Sequence, residues 1–306
     1  MKMFFTFEDV IRISRIFRRK PCEISEELRG WHWDEYPLTP SYSIRINVSD
    51  IAGGFCPTNR YVYMKYVLRH KEKTNFRLEL GSFIHKVYHM IICKVKSILY
   101  EGINSGTNFK EVFNKSSEEI FSKVYSNFQF LKVNYAKSIF EILWNQSSNI
   151  YAAALDRLKS ISPYLSLDGL INLVIPIIAE FPIDGTLIGL NRAIRIDAML
   201  YPHIIVELKT RSFKPEYEIG LAAYALAIES QYEIPINYAV LLEIKLDEKL
   251  QNFNFYEKYV LISDEIRERF IERRDAIMRI IEEKIDPGKP EKCPEDCPFL
   301  EVCSDE

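Results

Sequence analysis

Asp197, Glu207 and Lys209 stand close together in an otherwise apolar stretch, AIRIDAMLYPHIIVELKT, spanning 193–210. Side chains alternate faces along a strand, so Glu207 and Lys209 share one face while Val206 and Leu208 share the other. An acid and an amine among Ile and Val are costly to bury unless they pair or bind something. Two readings follow. One is a hairpin with a single Glu–Lys ion pair and an incidental Asp197. The other is a divalent-metal site, because two carboxylates and a neighbouring backbone carbonyl suit Mg²⁺ or Mn²⁺, which prefer hard oxygen ligands. Lys209 then serves as a point charge that orients an attacking water or steadies a phosphoryl group. The metal reading sets a geometric condition. Asp197 faces Glu207 directly across a hairpin only if paired residue numbers sum to 404. That requires an odd loop such as Tyr201-Pro202-His203, or a bulge of the same effect.

A second cluster of reactive types lies in the tail, KCPEDCPFLEVC, where Cys293, Cys297 and Cys303 follow a C-x3-C-x5-C spacing with no nearby His. A soft metal centre needs a fourth ligand. Cys56 is the best candidate, because Pro57 follows it as Pro294 and Pro298 follow Cys293 and Cys297. Proline recurs after ligands in some iron–sulfur loops. A Cys₄ zinc site and disulfides stay open as alternatives, although zinc knuckles favour shorter C-x-x-C spacings. Cys22 and Cys93 are expected to stay free, Cys93 as a core residue of an apolar helix. A cluster joining Cys56 to Cys293 would clasp the two ends of the chain, contributing at most about 5 kcal/mol by loop entropy.

His85 lies four residues before His89, a spacing that can bind zinc on one helix face. On the residues alone, both read as structural histidines. Glu180 reads equally as a surface acid and as a residue that positions a ligand. Residues 60–77 carry Arg60, Lys65, Arg69, Lys71, Lys73 and Arg77 against Glu72 alone, with Tyr61, Tyr63 and Tyr66 between them. By charge alone that is a solvated helix face. Next to Cys56 it reads as a strand-binding path, with Arg60, Lys65 and Arg69 on phosphates and Tyr61 stacking on bases. Arg211 and Lys214 are further candidates.

The elements that must position these groups are legible in outline. The 306 residues are 47% hydrophobic and 27% charged, with only 11 Gly and 14 Pro, which excludes disordered and collagen-like classes. A net charge of −3 argues against a globally basic nucleic-acid coat protein. The start has no signal-type apolar region. The longest apolar run, 170–179, falls far short of the roughly 20 residues that span a bilayer. The expectation is an intracellular, cytoplasmic protein with reduced thiols and no membrane association.

A basic helix opens the chain, and Ser49 reads as an N-cap. Residues 81–162 read as almost wholly helical, with a turn at 104–108. Residues 170–210 and 236–262 read as β-rich around a helix near 216–230. A last long helix runs from Ser263-Asp264 to Lys284. This is a mixed α/β fold. It divides into a 1–48 extension, a helical region 49–165 carrying Cys56 and His85, a core 166–262, and a terminal helix with a cysteine tail, 263–306.

Five segments, in order, resemble the RecB-like branch of the PD-(D/E)xK nucleases, and more narrowly the CRISPR-associated RecB-like iron–sulfur exonucleases in their archaeal type I-A form. They are Ser49–Tyr66 with Cys56-Pro57, Gly81-Ser-Phe-Ile-His85 as a Gly-x-x-x-His helix start, Arg195-Ile-Asp197, Glu207-Leu-Lys209, and the three tail cysteines. The resemblance covers about 49–303 and leaves the first 48 residues without a role. It implies a restriction-endonuclease-like core sheet with a large helical region and a C-terminal iron–sulfur segment. His85, Asp197, Glu207 and the Leu208 carbonyl would hold Mn²⁺ or Mg²⁺, and Lys209 would act on the attacking water. Tyr224 would match the tyrosine of a Q-x-x-x-Y helix motif, although Gly220 stands where the glutamine is expected. Cys56, Cys293, Cys297 and Cys303 would hold a [4Fe-4S] cluster. The implied activity is exonucleolytic cleavage of single-stranded DNA ends, 5′ to 3′, trimming prespacers for antiviral spacer acquisition beside the CRISPR integrase and other adaptation proteins. Oligomerisation is left open. The rival readings are a non-catalytic DNA-binding or assembly subunit, which Gly220 favours, and a zinc-stabilised binding module.

Overall fold

The computed structural model describes residues 3–246, 253–294 and 297–305. Among them the helices are α1 (Phe7–Arg18), α2 (Val48–Ala52), α3 (Arg60–Val62), which runs into a π-turn at Tyr63–Val67, α4 (Phe76–Tyr100), α5 (Gly106–Lys115), α6 (Ser117–Tyr125), α7 (Val133–Ile161), α8 (Leu167–Val174), α9 (Pro215–Tyr232), α10 (Asp264–Glu282) and α11 (Leu300–Asp305). The strands are β1 (Ile177–Ile183), β2 (Ile194–Leu200), β3 (Ile204–Lys209), β4 (Tyr238–Leu246) and β5 (Phe253–Leu261).

The strands form one sheet in the order β1-β2-β3-β4-β5. Only β3 and β4 run parallel, because α9 carries the chain back between them; the other neighbours are antiparallel. Strand alternation then builds two cores. Val240, Leu242 and Ile244 face the side covered by α4, α7 and α8, whereas Ala239 and Leu241 face the side covered by α9 and α10. Each fully buried aliphatic side chain contributes about 1.5–3 kcal/mol, so this alternation holds the three layers in register.

The mixed α/β expectation is correct, and several local expectations are corrected. Ser49 lies inside α2 and Asn47 occupies the N-cap position. Residues 170–174, read as β-rich, belong to α8, whose N-cap Ser166 accepts the Gly169 N–H at 3.1 Å. With five of its eight residues Leu, Ile or Val, the segment is apolar enough for either element, and the serine cap decides. Gly81 does not start its helix; α4 begins at Phe76, where the Asn75 side chain accepts the Leu78 N–H. A Cβ at Gly81 would stand 3.3 Å from Thr210 Oγ1, so this glycine lets α4 cross close to the end of β3. Cys93 is exposed, not a core residue. The basic opening helix exists as α1, with Ile13 and Phe17 packed into the α4-side core.

Candidate active site

β2 and β3 pair as Ala198↔Val206, Met199↔Ile205 and Leu200↔Ile204, the 404 register, around a turn at Tyr201–His203. Asp197 and Glu207 therefore fall opposite one another. The regular ladder stops at Ala198, and the next N–H, that of Leu208, donates to Asp197 Oδ2 at 2.7 Å. Asp197 also marks a change of face along β2. Ile194 and Ile196 join the α9-side core, while Ala198 and Leu200 join the other. Opposite Asp197 in the β1 register stands Glu180, with a left-handed φ of 48° that turns β1 at the same point. Asp197 thus sits where the sheet bends, within reach of a helix on either side.

From α4, His85 Nδ1 meets Asp197 Oδ1 at 2.7 Å. From β3, Lys209 Nζ donates to Glu207 Oε1 at 2.7 Å and lies 4.9 Å from the Tyr217 ring centre. Glu207 and Lys209 share the α9 face as alternation requires, since Val206 and Leu208 point into the other core. Glu207 Oε2 is buried without a hydrogen-bond partner.

These contacts set the charges. Burial pushes the Asp197 carboxyl up, but His85, Lys209 and the Leu208 N–H outweigh it and hold the group below its ordinary value. Burial and the neighbouring Asp197 push Glu207 up to about 7, against the pull of Lys209 and His85. Burial pulls Lys209 down, but Glu207 and Asp197 keep it above its ordinary value. His85 is likewise raised, with Asp197 overcoming burial. Tyr224 is buried beside both carboxylates, and its phenol is pushed well up by burial and by their charge. Among the described residues no three His, Cys, Asp or Glu side chains stand as a ready-made cation cage. Asp197 is turned to His85 and Leu208, and Glu207 to Lys209. The orphaned Glu207 Oε2 is the oxygen that fits a hard cation, and two carboxylates with a histidine are the right donors for Mg²⁺ or Mn²⁺.

Two cavities meet at Gly81 and His85. One, of about 280 Å³, runs past Lys209, Arg211, Arg77 and Tyr217 toward Phe55 and Pro298. The other, of about 730 Å³, runs past Lys86, His89, Arg195 and Glu180. Of the residues expected to bind a strand, Arg211 lines the first cavity and Arg69 is exposed. Arg60, Tyr61 and Lys65 are engaged in internal contacts, which corrects their reading as part of a strand-binding path. Arg60 is buried, pairs with Asp286 at 2.8 Å and donates to Cys303 Sγ at 3.1 Å. Tyr61 is buried, and its hydroxyl donates to the Asp50 carbonyl. Lys65 pairs with Asp50 and Glu72 at 2.8 and 3.0 Å. Their partners, Asp286, Cys303 and Asp50, come from other segments, which helical periodicity does not show.

Sequence reasoning missed Asp50, Tyr217 and Glu243. Asp50 is buried and anchors the wall of the smaller cavity by accepting from Lys65, Tyr66 and Asn47. Glu243 is in register with Lys209 and accepts the Phe213 N–H at 3.0 Å, fixing the turn after β3. An isolated acid in an apolar strand was the available signal for Glu243; Asp50 and Tyr217 carried none.

The four candidate cluster cysteines lie near enough to interact electrostatically, although among the described residues no three of them stand as a ready-made metal site. Burial raises the Cys297 thiol, and the thiols of Cys56, Cys293 and Cys303 raise it further. Cys56 and Cys303 are buried, while Cys293 and Cys297 are half-buried.

A mixed sheet that sets an acid on one strand against an E-x-K pair on the next, under a helix-borne histidine, is the arrangement that the RecB-like resemblance implies. The chain belongs to the family described as CRISPR-associated exonuclease Csa1, whose pattern matches residues 3–306. The first 48 residues, set outside the resemblance, are thus part of the family's span. A CRISPR-associated exonuclease Csa1 of Saccharolobus solfataricus is 36% identical over 305 residues, covering 98% of this chain and 99% of the relative. One of Thermoproteus tenax is 28% identical over 301 residues, covering 96% and 98%. A crystal structure from Eubacterium rectale, of a protein provisionally named an exonuclease, aligns over 94% of each chain at 15% identity and a TM-score of 0.44, too distant to argue from. Among the described residues no helix is long and apolar enough to cross a membrane.

Proposed function

We propose that this exonuclease is metal-dependent and acts on single-stranded DNA ends, 5′ to 3′, trimming prespacers for CRISPR spacer acquisition. The observation that carries the metal reading is the buried, unpartnered Glu207 Oε2 beside Asp197. Asp197, Glu207, His85 and the Leu208 carbonyl would hold Mn²⁺ or Mg²⁺, which supplies Lewis acidity toward the scissile phosphodiester. Asp197 stays ionised under the influence of His85 and Lys209. The Lys209 ammonium stays charged and can hold a water or a phosphate oxygen in place. Tyr224 is a positioning residue behind the carboxylates. Arg211 and Arg69 would bind phosphates of the strand. The 280 Å³ cavity, lined by Lys209, Arg211 and Arg77, supports an approach for the phosphate backbone.

At the far end, the donor set of Cys56, Cys293, Cys297 and Cys303 fits a [4Fe-4S] cluster serving as a clasp rather than an electron carrier. The Arg60 guanidinium donates to Cys303 Sγ and so ties this end to α3. The integrase and other adaptation proteins would be the partners receiving the trimmed ends.

The test is a nuclease assay on single-stranded DNA labelled at either end. Cleavage should vanish on chelation, return with Mn²⁺, and release label first from the 5′ end. Full cleavage by chelated protein sinks the metal reading, and first release from the 3′ end sinks the polarity.

A further inference from the structure

Outside the carboxylate site and the four-cysteine end, a third group of metal-binding side chains lines one face of α4. His89 and Cys93 are one helical turn apart, and His89 Nε2 lies 3.4 Å from Cys93 Sγ. Neighbouring ligands on a tetrahedral zinc, at about 2.0 Å for nitrogen and 2.3 Å for sulfur, stand about 3.5 Å apart. The pair already has that spacing. The other ring nitrogen, Nδ1, has no hydrogen-bond partner and points toward Glu180 Oε2 at 3.7 Å. A carboxylate behind the free nitrogen of a ligating histidine orients the ring and strengthens it as a ligand. Glu180 is brought there by its left-handed φ of 48°, and Arg195 steadies it at 3.1 Å. Cys93 is exposed, so a cation can reach the pair from solvent.

We propose that His89 Nε2 and Cys93 Sγ form a binding site for a thiophilic divalent cation such as Zn²⁺, with water completing the coordination and Glu180 as the orienting carboxylate. The thiol gives up its proton to solvent as the cation binds. The donor types separate this site from the carboxylate site. Sulfur and imidazole select zinc-like ions, and oxygen selects Mg²⁺ or Mn²⁺. With two protein ligands it is a reversible site rather than a structural one. Its place matters because His89 and Glu180 line the 730 Å³ cavity that reaches His85, one turn back along α4. A cation held there would fix the His89 ring at the wall of that cavity.

The experiment is a Co²⁺ titration, with Co²⁺ as the spectroscopic stand-in for zinc. It uses the intact protein with its tail centre filled and Mn²⁺ present in excess. The wild type should bind one more equivalent of Co²⁺ than Cys93→Ser or His89→Ala. A thiolate-to-cobalt charge-transfer band should appear in the difference spectrum and be missing from both variants. Glu180→Gln should weaken binding by about tenfold or more. Cys22→Ser and Asp197→Ala should keep the band. Equal stoichiometry in wild type and Cys93→Ser overturns the proposal. So does loss of the band in Asp197→Ala or Cys22→Ser, which would assign the cation elsewhere. Because Cys93 and His89 are partly open to solvent on a long helix, both variants should fold, and circular dichroism checks this.

Discussion

His85 on α4 and Asp197 on β2 are 112 residues apart in sequence and meet through a 2.7 Å contact between Nδ1 and Oδ1. That contact fastens the helical layer to the sheet at the point where β2 changes face. It also holds Asp197 ionised despite burial. His85→Ala should therefore do two things. It should lower Mn²⁺ affinity on the order of ten- to a hundredfold, and it should raise the Asp197 carboxyl pKa. Calorimetric titration with Mn²⁺ and carboxyl NMR read the two effects. Unchanged affinity would remove His85 from the ligand set.

Glu207 makes a prediction about pH. Its folded pKa of about 7 lies above its ordinary value of 4.5. Between those values the folded state holds more protons than the unfolded chain, so stability falls as pH rises through this window. Without divalent ions, Glu207→Gln should gain stability relative to the wild type as pH rises from about 4.5 to 7. The gain should be on the order of 3 kcal/mol, followed by near-constancy above. Chemical denaturation across that range checks it. In the same window Mn²⁺ binding should release a proton, because the cation needs the carboxylate.

Lys209 is held by the Glu207 carboxylate on one side and faces the Tyr217 ring on the other. Lys209→Met keeps the length of the side chain and removes its charge. Single-turnover cleavage should fall about a hundredfold or more, the scale of losing one charge-stabilising donor. The Glu207 carboxyl should move above about 7, since Lys209 is the first group pulling it down. A variant that cleaves at the wild-type rate would leave Lys209 as a structural counter-ion.

The cysteine end should fail in stability before it fails in chemistry. Cys303→Ala should lower the melting temperature while Mn²⁺ affinity stays unchanged. Arg60→Ala should act in the same direction, because its guanidinium joins α3 to both Asp286 and Cys303. The expected loss is about 1–3 kcal/mol. Asp286 is held below its ordinary value chiefly by the Arg60 hydrogen bond, so the part due to this pair is present at neutral pH and fades as pH falls through the acid range. Scanning calorimetry at two pH values separates it from the cysteine contribution.

Gly220 explains its own departure from the expected glutamine. A Cβ there would stand 2.9 Å from Ala52 Cβ, because α2 packs directly on α9. Gly220→Gln forces these helices apart and should destabilise by about 1–3 kcal/mol. A melting curve equal to the wild type would show that α2 moves aside freely. The absent glutamine is thus a packing choice and argues little for a non-catalytic protein.

Much of this protein was determined by local rules that a sequence exposes. Period-two alternation placed Glu207 and Lys209 on one face, and the parity of the Tyr201–His203 turn set Asp197 opposite Glu207. Helical periodicity marked α4, α6 and α9, because a 3.6-residue repeat is a property of short windows. What the sequence left undecided were relations between distant segments. The α4 helix could be read, but not that its His85 would reach Asp197. Arg60 read as a phosphate contact on a strand-binding path, and only the nearness of Asp286 and Cys303 showed it to be turned inward. Cys93 read as core, and only the way α4 lies on the sheet left it exposed beside His89. Periodicity is written in neighbouring residues, whereas burial and pairing depend on which surfaces meet after the chain closes on itself.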